Sequence, residues 1–63
     1  MVTIILRRKV FEIRPGMTLL SSLSKLGILP ESVLATRNGD MLTEDEILVD
    51  GETITLIEVI SGG

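Results

Sequence analysis

The sequence predicts a two-layer α+β domain in which one amphipathic helix covers a four- to five-stranded mixed sheet. Three observations predict it. Alternating, β-branched segments stand at both ends of the chain. A single leucine stripe at helical spacing lies between them. The pairs Pro15-Gly16, Asn38-Gly39 and Asp50-Gly51 punctuate the rest as turns.

Residues 2–7 alternate Val2, Ile4 and Leu6 against Thr3, Ile5 and Arg7. Both faces are largely apolar, which predicts a strand central in the sheet. After the polar break Arg7-Arg8-Lys9, residues 10–14 form a second strand with Phe11 and Ile13 on one face. The short break makes the two a hairpin, and its three cations read first as a solvated turn and second as a docking patch. Thr18 is placed to cap a helix carrying Leu19, Leu20, Leu23 and Leu26 on one stripe. Ser21, Ser22, Ser24 and Lys25 take the other side, and Gly27 is the expected C′ residue. A connector with Pro30 leads to a third strand at residues 33–37. Asn38-Gly39 is the pair a type I′ hairpin turn requires, because both central residues need positive φ. A short return strand at Met41-Leu42 follows. The T-x-x-E pattern of residues 43–46 predicts a capping box with one helical turn. Residues 53–60 form the last strand, in which Ile54 and Leu56 alternate with Thr53 and Thr55. Ile57, Val59 and Ile60 then break the alternation, and Ser61-Gly62-Gly63 follows. Residues 1–60 are thus expected to form the domain and residues 61–63 a flexible tail.

Composition narrows the chemistry. The 63 residues have no cysteine and no histidine, and Phe11 is the one aromatic residue. Thiol nucleophiles, histidine bases and Cys/His zinc sites are therefore excluded. The serines have no histidine to activate them. A domain this small buries only about 60% of its unfolded surface. It lacks room for a pocket of roughly 300 Å³ or more beside a core. The chain is expected to be no enzyme itself but a protein on which partner enzymes act, binding no cofactor or metal. No apolar run exceeds three residues, as in Ile4-Ile5-Leu6, far too short to span a membrane, and Val2 to Leu6, followed rather than preceded by arginines, is too short for a signal peptide. Cytoplasmic residence is the expectation. Few cations and no stacking aromatics argue against direct nucleic-acid binding.

Net charge is −3 but unevenly spread: residues 1–37 hold all six basic residues and two acids, residues 38–63 seven acids and no base. Two readings stand open. The halves neutralise each other within the fold, or an acidic face near the C-terminus steers a basic partner.

The Gly62-Gly63 ending is the unusual feature. Gly is about 7% of ordinary composition, so chance supplies two terminal glycines in roughly 0.5% of chains. Small residues are also tolerated at a frayed terminus. Here, however, the pair follows an apolar strand with only Ser61 between. Glycine lacks Cβ, so such a tail can thread a narrow channel and set its carboxylate beside a nucleotide held by another protein. That carboxylate can attack the α-phosphate of ATP without a general base. The partner then supplies Mg²⁺, positive charge and positioning.

In length, element order and motifs the whole chain resembles the ThiS/MoaD group of ubiquitin-like, β-grasp sulfur carriers. The resemblance is carried by Val33-Leu34-Ala35-Thr36-Arg37-Asn38-Gly39, Leu48-Val49-Asp50-Gly51-Glu52, Ile54-Thr55-Leu56 and Val59-Ile60-Ser61-Gly62-Gly63. The chain is shorter than MoaD proteins tend to be and lacks a tryptophan often found after the turn in ThiS. The resemblance implies that Gly63 is adenylated by an E1-like enzyme at the expense of ATP and converted to a thiocarboxylate, with Ser61 and Gly62 entering the partner's active site. The sulfur then goes to a sulfur-accepting synthase of thiamin thiazole formation or to a tRNA-thiolation enzyme. It also implies a docking patch on the open sheet face: Ile57, Val59 and Ile60 are either core, as apolar strand residues ordinarily are, or, because they break the alternation, assigned at least in part to this patch, with Asp50, Glu52 and Glu58 as polar rim. The alternatives are a modifier conjugated through Gly63 to lysines, and a plain interaction module. The apolar last strand allows a monomer or a weak dimer.

Overall fold

The computed structural model describes residues 1–59. Five strands, β1 (Val2–Leu6), β2 (Lys9–Ile13), β3 (Val33–Arg37), β4 (Asp40–Met41) and β5 (Thr53–Glu58), form one mixed sheet in the order β2-β1-β5-β3-β4. β1 and β5 run parallel and every other pair is antiparallel. The helix α1 (Leu19–Leu26) lies between β2 and β3 in sequence, followed by a 3-10 turn at Pro30–Ser32. The expected α+β layering is therefore observed, with all five strands.

The alternation of each strand puts one face in the core and leaves the other open. Val2, Ile4, Ile13, Val33, Ala35, Ile54 and Leu56 point inward and are buried with Leu19, Leu23 and Leu48. Phe11, Met17 and Leu26 pack partly against them. β1 is an interior strand, between β2 and β5, as its two apolar faces predict, while β5 is the middle one. It ends one residue early, because Arg7 turns into the left-handed region at φ 55. Leu6 then pairs with Lys9 across a two-residue turn, so β2 begins at Lys9 and ends at Ile13.

Helix α1 is capped as expected. Thr18 Oγ1 accepts a hydrogen bond from the Ser21 N–H at 3.1 Å. Gly27, at φ 76, and the Ile28 N–H bonded to the Leu23 carbonyl at 2.9 Å close the C-terminus. One side of the helix differs from expectation. Ser22 is fully buried, its hydroxyl donating to the Thr18 carbonyl at 2.9 Å, while Leu20 is exposed. Ser22 sits three residues after Leu19 and so shares its face, whereas Leu20 is rotated by about 100° from it.

Two further corrections concern the second half. The type I′ turn forms, with Asn38 at φ 52 and Gly39 at φ 86. Its two-residue length pairs Arg37 with Asp40, so the return strand is Asp40–Met41 and Leu42 falls outside it. Residues 43–46 make a hydrogen-bonded turn, not a helical one, with Glu46 N–H donating to the Thr43 carbonyl at 3.2 Å. The Thr43 hydroxyl bonds Asp45 at 2.6 Å and caps no helix. The reason is tertiary. Leu19 and Leu20 N–H groups donate to the Glu46 and Glu44 carbonyls at 2.9 and 3.0 Å, satisfying donors that a helix start leaves free. Ile47 bridges Thr18, and Leu48, fully buried, donates its N–H to the Met17 carbonyl.

Candidate functional site

The alternate side chains of the strands line the open sheet face in register. Val10 pairs with Ile5, Ile5 with Thr55, Thr55 with Thr36, and Thr36 with Met41. The next row toward the end of β5 is the pair Leu34 and Ile57. Ile57 is 50% exposed and Leu34 39%, although each has an apolar neighbour in the adjacent strand. Val10 and Met41 are exposed at the two edges. Buried apolar area is worth about 25 cal/mol per Å², so this patch holds unrealised stabilisation that a covering surface can collect.

Of the residues assigned from sequence, Ile57 stands on this face, Glu58 is exposed and Val59 is half-buried. Ile60, Ser61, Gly62 and Gly63 lie outside the described residues. Leu34, Val10 and Met41 were not assigned to the site. Alternation marks them as facing away from Ala35, Phe11 and Leu42, but only the strand order brings them into one patch with Ile57.

The end of β5 is fastened on two sides. Val59 N–H donates to the Ser32 carbonyl at 2.9 Å. Arg7 grips Glu58 with two nitrogens, Nε at 2.5 Å from Oε1 and Nη2 at 3.1 Å from Oε2. Both side chains are well exposed, so this pair contributes at most about 1 kcal/mol. Parallel pairing of β1 with β5 is what sets the first hairpin turn beside the point where the chain leaves the sheet.

The remaining ion pairs answer the question of charge asymmetry. Arg37 Nη2 donates to Glu52 Oε1 at 3.1 Å and Nη1 lies 3.6 Å from Glu46. Its buried Nε faces Glu52 Oε2 as an ion contact that lacks the direction of a hydrogen bond. The N-terminal ammonium engages Asp50, and that hydrogen bond and charge hold the Asp50 carboxyl below the usual carboxylate range. Each pair joins the basic half to the acidic half. Asp50, Glu52 and Glu58, assigned as a polar rim, are all matched internally. A depression of about 340 Å³ beside the Arg7-Arg8-Lys9 turn and a larger one of about 460 Å³ against Leu20, Ile28 and Leu29 are both open to solvent. Among the described residues no cluster of acids is arranged to hold a metal, and no helix is long and apolar enough to cross a membrane.

Comparison with known proteins follows the same lines. The chain is 34% identical over 56 residues to the sulfur carrier protein TtuB of Thermus thermophilus, covering 89% of this chain and 86% of that protein. Among solved structures, it superposes on the N-terminal ubiquitin-like domain of the 4931431F19Rik protein with a TM-score of 0.69 at 18% identity, covering 98% of this chain and 76% of that one. SAMP1 from Haloferax volcanii gives a TM-score of 0.66 at 17% identity, with 98% of both chains covered. These two likenesses establish the ubiquitin-like β-grasp fold. The ThiS family model matches residues 3–63. With that match and the TtuB similarity, the chain belongs to the ThiS family of ThiS/MoaD-type sulfur carriers.

Proposed function

We propose that the chain carries sulfur on the carboxylate of Gly63. An E1-like enzyme joins that carboxylate to the α-phosphate of ATP, and pyrophosphate leaves. Sulfur at the sulfide level, as HS⁻, then attacks the acyl carbon and expels AMP, leaving a thiocarboxylate and releasing a proton. The carrier donates this sulfur to thiamin thiazole synthesis or to tRNA thiolation. The observation that carries the reading is the family match running through residue 63, with its Gly62-Gly63 ending. Ser61 and Gly62 enter the partner's active site as a slender lead. The domain of residues 1–60 supplies no catalytic side chain; it presents the tail and a surface to grip. Ile57, Val59, Ile60 and Glu58 belong to that grip, with Leu34 beside Ile57 on the open face.

The test is the intact mass of the protein purified quickly from its own cells, with fragmentation of the C-terminal peptide. Exchange of one oxygen for sulfur, located on Gly63, is the expected result. An unmodified chain accompanied by Gly-Gly remnants on lysines of other proteins marks a modifier instead. An unmodified chain without conjugates, even with activating enzyme, ATP and a sulfur donor present, overturns both.

A further inference from the structure

The unpaired charges beside the end of β5 have the opposite sign to the one the net charge suggests. Glu58, the acid nearest the exit of β5, is taken up by Arg7. Glu46, Glu52 and Asp50 are likewise engaged. The next two residues of the same turn, Arg8 and Lys9, are exposed and make no ion pair among the described residues. Together with Leu6, Arg7 and Glu58 they line an open depression of about 340 Å³. Its apolar wall, Leu6, lowers the local dielectric and strengthens a charge contact made there. Leu6, Lys9 and Glu58 alternate with Ile5, Val10 and Ile57 along their strands, so the depression lies at the end of the sheet where β5 finishes, on the side opposite the apolar open face. The turn is held in place from both ends, by Leu6–Lys9 pairing and by the Arg7–Glu58 ion pair.

From this juxtaposition we infer that the Arg8-Lys9 turn docks an acidic patch on the protein that receives the tail, with a carboxylate of that partner seated in the depression. The inference rests on the sulfur-carrier reading and names the chemistry of the partner's surface. A protein fits better than RNA. Two cations are too few to follow a phosphate backbone, the one aromatic residue, Phe11, is partly buried against the core, and the chain as a whole is anionic.

The test uses the full chain and an E1-like adenylating enzyme from the same cells, followed by ATP–pyrophosphate exchange. Four chains are compared: wild type, Arg8→Glu/Lys9→Glu, Arg8→Gln/Lys9→Gln, and Arg14→Glu. The last two lower the net charge by the same two units at different places. Arg14 follows β2 at the end of the sheet away from the turn. The charge-reversed double variant is expected to raise KM about tenfold with kcat nearly unchanged, and the Gln pair about threefold. Both effects should fade at about 0.5 M salt, where screening acts within a few Å. Arg14→Glu should leave KM within about twofold, as a remote surface charge does. All four should melt alike, since the substituted side chains are exposed. Equal KM for the Gln pair and Arg14→Glu, with wild type active, overturns this inference alone. So does loss of binding to bulk tRNA with an unchanged KM, which makes the anionic partner an RNA. Failure of the wild-type chain to be adenylated at all overturns the carrier reading and this inference with it.

Discussion

The guanidinium of Arg37, at the end of β3, closes on the carboxylate of Glu52, just ahead of β5, and Glu52 also accepts the Val49 N–H at 2.6 Å. One side chain thus ties the long loop between β4 and β5 to the middle of the sheet. Arg37 is 30% exposed and Glu52 17%, so the pair is screened less than a surface pair. Arg37→Ala leaves the Glu52 charge partly buried without its counter-ion and is expected to cost about 1–3 kcal/mol. Glu52→Gln keeps the shape, removes the charge and should cost less. A double-mutant cycle by urea unfolding checks this. Strict additivity of the two substitutions would show that the contact contributes nothing.

The open face makes the opposite prediction for Leu34 and Ile57. They pair across β3 and β5 yet remain exposed, so Leu34→Ala/Ile57→Ala should change stability by no more than about 1 kcal/mol. Ile54→Ala, three residues back along β5 on the buried face, should cost about 2–5 kcal/mol. If the open face grips the activating enzyme, the Leu34/Ile57 variant should lose affinity by tenfold or more while melting normally. Calorimetry and titration calorimetry on the same samples separate the two effects.

How far the sequence carries is visible in these same residues. Alternation in β1 and β5 suffices to choose Ile4, Ile54 and Leu56 as core, because a strand has only two faces. It also leaves Ile57 facing outward. Asn38-Gly39 specifies its turn through positive φ, a local requirement. Neither rule says which strands are neighbours, so the patch uniting Val10, Ile5, Leu34, Ile57 and Met41 was not legible. The T-x-x-E turn was misread for the same kind of reason. Its local pattern favours a helix start, but the backbone donors of Leu19 and Leu20, more than twenty residues away, claim its carbonyls. Arg7 at φ 55 carries no local signal either, since a left-handed arginine costs roughly 1–2 kcal/mol in isolation. The charge asymmetry raised the right question, and its answer depended on partners such as Arg7 and Glu58 that stand 51 positions apart.

Leu48 tests whether that loop is structural. It is fully buried although it lies in no strand or helix, and its backbone links Met17 and Gly16. Leu48→Ala is expected to cost about 2–5 kcal/mol through lost contacts and a residual cavity. A domain of this length has on the order of 3–9 kcal/mol of total stability. The variant should therefore be marginal at room temperature, with a melting point lowered by roughly 15–40 °C. Val49→Ala, exposed in the same loop, serves as the control and should melt within a few degrees of wild type.

A last prediction concerns acid. The Thr43 hydroxyl donates to Asp45 Oδ1 at 2.6 Å, and that bond, reinforced by a backbone N–H, holds the Asp45 carboxyl below its ordinary value. A carboxyl depressed on folding stabilises the fold at pH above its unfolded value and loses that contribution as pH falls through the folded value. Thr43→Val removes the donor and keeps the shape. Asp45 should then titrate closer to an ordinary aspartate, in a pH series of carboxyl NMR shifts. Stability at neutral pH should fall slightly, and the difference between variant and wild type should vanish in strong acid, where both carboxyls are protonated. An unchanged Asp45 titration in Thr43→Val would assign the depression to the backbone alone. The side-chain bond would then be a consequence of the turn and not one of its supports.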